Sequence, residues 1–179
     1  MALADRALAL VNIPSESRHE AAVTSYIEES VPLELAFSDG ESLLYAKRTG
    51  KPLVLLAGHT DTVPAQDNLP GRIEDGAVVG LGASDMKGGL AVMIELAHWA
   101  VDADLGYDLA LLFFPREELG PSENPLPGVF AQAPLVDEAQ LVICSSRRTT
   151  RFSSAASATW RRACRSRACR RTRRARGSE

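Results

Sequence analysis

The first 143 residues contain no cysteine. A body without thiols has no disulfide framework, needs no oxidising compartment, and must be held by its own core. Long hydrophobic runs are missing too. No segment approaches the roughly 18 apolar residues of a membrane span, and the N-terminus, MALADRALALV, lacks the apolar stretch of a secretory signal. These absences lead to the expectation of a cytoplasmic protein with no membrane partner. Basic residues are scarce in the same stretch, where 8 Lys and Arg stand against 22 Asp and Glu, a net of −14.

Residues 144–179 lack different things. They contain no Leu, Ile, Val, Met, Pro or Lys, and hold 12 Arg against one Glu, a net of +11. The formal charge of −3 is therefore an average over two opposite pieces. All three histidines (His19, His59, His98) lie in the first piece and all three cysteines (Cys144, Cys164, Cys169) in the second. Residues 1–143 are long enough for one domain with a real core. Residues 144–179 offer nothing from which to build a core strand, and are expected to be disordered.

What is present in the body reads as alternating helices and strands. Leu3 to Val11 is a first helix, stopped near Asn12-Ile13-Pro14. Ser17 and Glu20 have capping-box spacing ahead of a helix over 18–30. Val31 to Phe37 and Ser42 to Ala46 read as strands joined by a turn at Asp39-Gly40. Leu53 to Ala57 is apolar on both faces, the pattern of a central parallel strand covered by helices. Gly58 to Leu81 reads mostly as loop. Lys87 to Ala100 is a helix with Leu90, Met93, Ile94 and Ala97 on one stripe. Leu109 to Phe114 is a second buried strand, and Leu141 to Ile143 starts a third. The expected fold is α/β, a mixed, largely parallel sheet sandwiched by helices, with active groups at the carboxyl ends of strands.

Five polar residues stand at those strand ends or just before a helix. His59 follows a buried strand, where an imidazole is a plausible zinc ligand, and Asp61 can reach back to the other ring nitrogen to set the tautomer. The plain alternative is a polar loop. Asp85 precedes a helix and offers two oxygens, enough to bridge metals roughly 3.5–4 Å apart. It reads equally well as an N-cap before a tight turn. Gly88 and Gly89 permit close backbone approach there, and Lys87 could moderate the acidic loop. Glu117 and Glu118 end a central strand. One can ligate zinc while the other takes a proton from the attacking water. Arg116 reads as a local charge partner, and His19 and His98 as ordinary helix residues.

Three segments carry a family resemblance. Gly58-His59-Thr60-Asp61-Thr62-Val63-Pro64, the run from Gly80 to Gly89 containing Asp85-Met86-Lys87-Gly88-Gly89, and Phe113-Phe114-Pro115-Arg116-Glu117-Glu118 occur in order and with fitting gaps. Together they resemble the zinc-dependent aminoacylase, carboxypeptidase and succinyl-diaminopimelate desuccinylase family, over about residues 5–143. The resemblance implies two Zn2+ ions, with Co2+ as a substitute. His59 would ligate one, Asp85 would bridge both and Glu118 would ligate the second. Asp61 would orient His59, and Glu117 would be the general base. It also implies a small N-acyl amino acid substrate and a homodimer. The Asp-Met-Lys-Gly-Gly run and Ser122-Glu123-Asn124 look closest to the desuccinylase branch, which hydrolyses an N-succinyl amide of diaminopimelate. Leu81 stands where many relatives carry Arg. An aminoacylase or dipeptidase would use the same machinery.

The family pattern further requires a zinc-binding Glu in a Leu-Glu-Pro-Thr segment, a separate lid or dimerisation domain, and a late His. None follows Ile143 in this frame. Shifting the frame, by joining the last base of each codon to the first two of the next, lets Cys144 to Thr149 read Leu-Leu-Glu-Pro-Thr-Asp. In the same register Phe152 to Thr159 can yield Gln-Leu-Gly-Cys-Leu-Gly-Asn, and Arg170 to Glu179, begun with the last base of Cys169, can yield Ser-Ala-His-Ser-Ala-Arg-Pro-Trp-Leu-Gly. Three family-like segments in one register point to a one-base slip near codon 143 or 144. The chain as it stands is therefore expected to be an inactive, poorly folded amino-terminal part with an exposed sheet edge. The arginines would bind nucleic acid nonspecifically and salt-dependently. Phe152 and Trp160 are too few aromatics for a dedicated site, and Cys164 and Cys169 lack the further ligands of a metal knuckle.

Overall fold

In the computed structural model, residues 1–144 are described in full and residues 151–154 by their backbone. The chain opens with two helices, α1 (Leu3–Val11) and α2 (Ala21–Ser30). Three strands follow, β1 (Glu34–Ser38), β2 (Leu43–Lys47) and β3 (Leu53–His59). A small hairpin, β4 (Arg72–Glu74) and β5 (Ala77–Val79), precedes a kinked turn at Ala83–Lys87 and the long helix α3 (Gly88–Asp102). Then come β6 (Asp108–Phe114), α4 (Leu126–Gln132), a short 3-10 turn at Pro134–Glu138, β7 (Ala139–Cys144) and β8 (Arg151–Ser154).

Six strands form one sheet in the order β1-β2-β6-β3-β7-β8. β3 runs parallel to both β6 and β7, while β1–β2, β2–β6 and β7–β8 pair antiparallel. The sheet is thus mixed, with the expected parallel core and antiparallel flanks. Parallel neighbours need crossovers. α3 lies in the crossover from β3 to its neighbour β6, and α4 in the connection from β6 past β3 to β7, the other neighbour of β3.

Every residue of β6 is buried, because both sheet faces are covered. Leu109, Leu111 and Phe113 pack with Leu10, Val23, Ile27, Leu90, Ile94 and Ala97 from α1, α2 and α3. Ala110, Leu112 and Phe114 face the other way, against Leu126, Val129, Phe130 and Val136. That two-sided burial is the physical origin of the uninterrupted apolar runs. At the far end of the sheet from the site, buried Asp108 accepts Thr49 N–H, Thr49 Oγ1 and Gly50 N–H. Lys47 Nζ caps the end of α3 on three carbonyls, those of Ala100, Val101 and Ala103.

Several expectations shift. The first strand begins at Glu34 rather than Val31, beyond Pro32. The stretch expected as loop holds β4–β5, turned through Asp75 (φ 50°) and Gly76 (φ 77°). Two consecutive positive φ angles are the geometry that an Asp-Gly pair favours in a two-residue hairpin. α2 starts at Ala21, not at residue 18, so His19 lies before the helix; His98 lies in α3, and both are exposed. Ser17 and Glu20 form no capping box: Glu20 occupies the N-cap with no side-chain cap bond. The expected disordered segment 144–179 falls outside the described residues, except for Cys144, which ends β7, and Arg151–Ser154, which pair with β7 as β8. Cys164 and Cys169 fall outside them too. Among the described residues, no helix is long and apolar enough to cross a membrane.

Candidate metal centre

β3 and β6 end side by side, with His59 paired to Phe114. That register brings the loop after β3 against the loop after β6, and Thr60 N–H donates to Phe114 O at 2.9 Å. The kinked turn before α3 closes the third side. Met86 is buried, and its Sδ receives the His59 N–H at 3.0 Å. Gly58 leaves room for it, since a Cβ there would collide with Met86 Cε. Gly88 allows the turn itself, because a Cβ would lie 2.6 Å from Ala83 O. Gly82 enters the turn at φ 73°.

The His59 ring is 1% exposed and held from both sides. Nδ1 lies 3.0 Å from the Asp61 backbone oxygen and 3.3 Å from Asp61 Oδ1, while Nε2 lies 3.1 Å from Asp85 Oδ1. With a cation at Nε2, Nδ1 would carry the proton and donate it to Asp61. Burial pulls the pKa of His59 down, but the bonds to Asp61 and Asp85 and the charges of Asp61 and Glu117 prevail and push it up to about 10. The site is thus electronegative enough to hold a positive charge at Nε2, whether a proton or a metal ion.

Asp61 is buried, and its carboxylate gathers three further donors. Ser17 Oγ donates to Oδ2 at 2.7 Å, Glu117 N–H to Oδ1 at 2.9 Å and Glu118 N–H to Oδ2 at 3.0 Å. Burial alone would raise its pKa. The contacts with His59, the Glu118 N–H and the Ser17 hydroxyl outweigh that and hold it below the usual carboxylate range.

Arg116 begins the turn after β6 at φ 59°. Its guanidinium grips both oxygens of Glu41, at 2.6 and 2.7 Å, and the Glu123 carbonyl at 3.0 Å, the charge-partner role expected for it. Lys87 departs from expectation. It is 1% exposed and donates to the Ile13 carbonyl, and burial lowers its pKa to about 8. Sequence spacing did not disclose Ser17 or Glu20 as neighbours of the site, and it placed Met86 and Lys87 beside Asp85 without showing their burial. The Ser17-x-x-Glu20 pattern was visible, but its meaning was helical.

The five expected residues converge. His59, Asp85 and Glu118 each offer one ligand atom, and these atoms all lie within 4.8 Å of one another. Four-coordinate zinc, with bonds of about 2.0–2.2 Å, spaces its donors roughly 3–4 Å apart, so the donor set fits after small side-chain adjustments. Imidazole with carboxylates suits zinc and its neighbours in the first transition row. Asp61 touches His59 and both acid-pair amides, and Glu117 acts electrostatically on His59.

Comparison with known proteins relates the chain to one family, by sequence over part of its length and by fold. The profile of peptidase family M20/M25/M40 matches residues 55–151. A Mycobacterium tuberculosis protein provisionally named succinyl-diaminopimelate desuccinylase DapE is 39% identical over 131 residues, 70% of this chain and 36% of its own length. The succinyl-diaminopimelate desuccinylase of Corynebacterium glutamicum is 40% identical over 126 residues, 65% of this chain and 34% of its own. The chain therefore spans about a third of the length of these curated relatives. A Staphylococcus aureus tripeptidase structure superposes with a TM-score of 0.64 at 22% identity, over 80% of this chain and 42% of that one. An M20 metallo-carboxypeptidase from Sulfolobus solfataricus gives 0.63 at 20% identity, over 80% and 37%. A dinuclear metal-binding M20 peptidase from Bacillus subtilis gives 0.55 at 16% identity, over 80% and 42%. Motifs, fold and sequence profile agree: the chain belongs to peptidase family M20/M25/M40, a family of metal-dependent hydrolases.

Proposed function

We propose that this sequence descends from a succinyl-diaminopimelate desuccinylase, which hydrolyses N-succinyl-LL-2,6-diaminopimelate to succinate and LL-2,6-diaminopimelate. The observation that carries the proposal is the meeting of His59, Asp85 and Glu118 at three loop ends, in a chain whose curated relatives bear that name. In this reading His59 and Glu118 would each hold one of two zinc ions, and Asp85 would be shared between them. Bound there, such ions polarise the scissile carbonyl and lower the pKa of a water toward about 7. Asp61 keeps the His59 ring oriented. Glu117 accepts the proton of the attacking water at its carboxylate and returns it to the leaving amine.

The same reading makes the 179-residue chain inactive. β7 lies beside β3 with Cys144 opposite Ala57, two residues short of His59. The further zinc-binding Glu that the resemblance implies would follow β7, and beyond Cys144 the sequence turns to Arg, Ser and Ala. With a ligand position empty, the carbonyl and the water lose their fixed mutual geometry.

The test compares two purified proteins, the 179-residue chain and one expressed from DNA with the frame restored at codon 143 or 144. Succinate release from N-succinyl-diaminopimelate by the restored chain alone supports both parts. Turnover by the 179-residue chain sinks the inactivity. Preference of the restored chain for N-acetyl amino acids or dipeptides sinks the substrate assignment. Sequencing the DNA across codons 140–150 shows whether the slip is in the gene.

A further inference from the structure

We propose that Ser17 and Glu20 are positioning residues for the metal centre, and that the segment 13–20 is a strap tying its three loops together. The proposal rests on the metal-centre reading above. It starts from a misfit. Ser-x-x-Glu at this spacing is the signature of a capping box, yet the first turn of α2 receives no side-chain cap. Both side chains are turned to other partners.

The strap touches each loop through a separate contact. Thr62 N–H donates to Ser15 O at 2.8 Å and Ser17 N–H to Thr62 O at 3.1 Å, a parallel bridge that lays the strap along the loop after β3. From that bridge the Ser17 hydroxyl reaches Asp61 Oδ2. Lys87, two residues beyond Asp85, donates to the Ile13 carbonyl at the strap's start. At its other end, buried Glu20 accepts the N–H of Arg116 at 3.3 Å. Arg116 is the left-handed residue whose backbone aims Glu117 and Glu118.

The mechanical consequence follows from the bonds of Asp61. Its two oxygens orient the His59 ring on one side and the Glu117 and Glu118 amides on the other. Ser17 donates to the same oxygen as Glu118, so it limits rotation of the carboxylate about its own bond. Without that hydroxyl the carboxylate gains freedom, and the separation between the His59 and Glu118 ligand atoms loosens with it. Ser17 acts through Asp61, so its role is to position, not to ligate.

The experiment uses the 179-residue chain in two states. In the metal-free protein, amide hydrogen exchange is read at Arg116, Glu117 and Glu118, with Leu55 and Leu111 in the strand interiors as controls. In the second state, Co2+ is titrated and its visible absorption followed. Ser17→Ala should speed exchange at Glu117 and Glu118 and weaken Co2+ binding, each by about tenfold, with the controls unchanged. Ser17→Thr keeps the hydroxyl and should restore both. Glu20→Ala should speed exchange at Arg116, while Glu20→Gln, which keeps an acceptor, should not. Wild-type exchange and affinity in Ser17→Ala would overturn the strap, as would a Ser17→Thr variant no better than Ser17→Ala. If the unmutated chain leaves the Co2+ spectrum unchanged, His59, Asp85 and Glu118 do not hold a metal without a further ligand, and the exchange measurements alone decide the strap.

Discussion

Glu118 donates its backbone N–H to Asp61 Oδ2 at 3.0 Å, although 57 residues separate them in sequence. Through this bond a residue that orients His59 also fixes the backbone of a proposed ligand. Asp61→Asn is nearly isosteric, but it replaces one acceptor oxygen with an NH2 group that must face a donor. We expect it to weaken Zn2+ affinity by about 10- to 100-fold while the circular dichroism spectrum stays unchanged. Competition against a fluorescent chelator measures it, and affinity within error of the parent chain would remove Asp61 from the site.

Metal binding should be visible as stability. A ligand at a hundredfold excess over its Kd stabilises the folded state by about 2.7 kcal/mol, which for a chain of this size raises Tm by roughly 5–10 °C. Zn2+ should produce such a rise and EDTA reverse it. Glu118→Gln and His59→Ala should show little of it in differential scanning calorimetry. Equal shifts in parent and variants would locate the ion elsewhere.

Asp108 offers a pH test remote from the site. Burial opposes its charge, but the Thr49 hydroxyl and N–H, the Gly50 N–H and Arg48 hold its pKa below the ordinary 3.8. A depressed folded pKa contributes stability that is full above the unfolded value, and it is lost as pH falls through the folded one. Asp108→Asn should therefore cost about 2 kcal/mol in urea unfolding at pH 7. The gap between parent and variant should narrow below pH 3.8. A gap independent of pH would assign the cost to packing.

Lys47→Met removes the ammonium that three carbonyls at the end of α3 share. The loss leaves those acceptors without their cap at the negative end of the helix dipole, and should cost about 1–2 kcal/mol. Urea midpoints with unchanged m-values test it. Because α3 begins at the Asp85 turn and its other end is pinned by Lys47, the same variant should leave Co2+ affinity intact if only the far end frays.

His59, Asp61, Glu117 and Glu118 were legible because they follow apolar runs whose two-sided burial is written in their composition, and Asp85 because it stands in a glycine-rich turn before a helix. The β3 and β6 runs could be placed for the same reason. Other features were not legible, each for its own cause. Ser17 and Glu20 obey a short-range rule, and nothing within three residues reveals that Asp61 and the Arg116 amide compete for them. Lys87 is charged, so composition assigns it to water; only the packed turn shows its ammonium reaching the Ile13 carbonyl. The β4–β5 hairpin was signalled by Asp75-Gly76, but its three-residue strands are too short for alternation to stand out.

By itself the sequence determined which side chains can do chemistry, and that buried strands deliver them, because periodicity and residue type record burial and donor character locally. Tertiary structure alone decided how those side chains are held. The parallel register of His59 on Phe114 brings two loops together, and the Ser17–Asp61 bond and the Glu20–Arg116 contact span 44 and 96 residues. Such contacts leave no local pattern, because a hydrogen bond depends on positions in space, and those are set only once the sheet and its helices have packed.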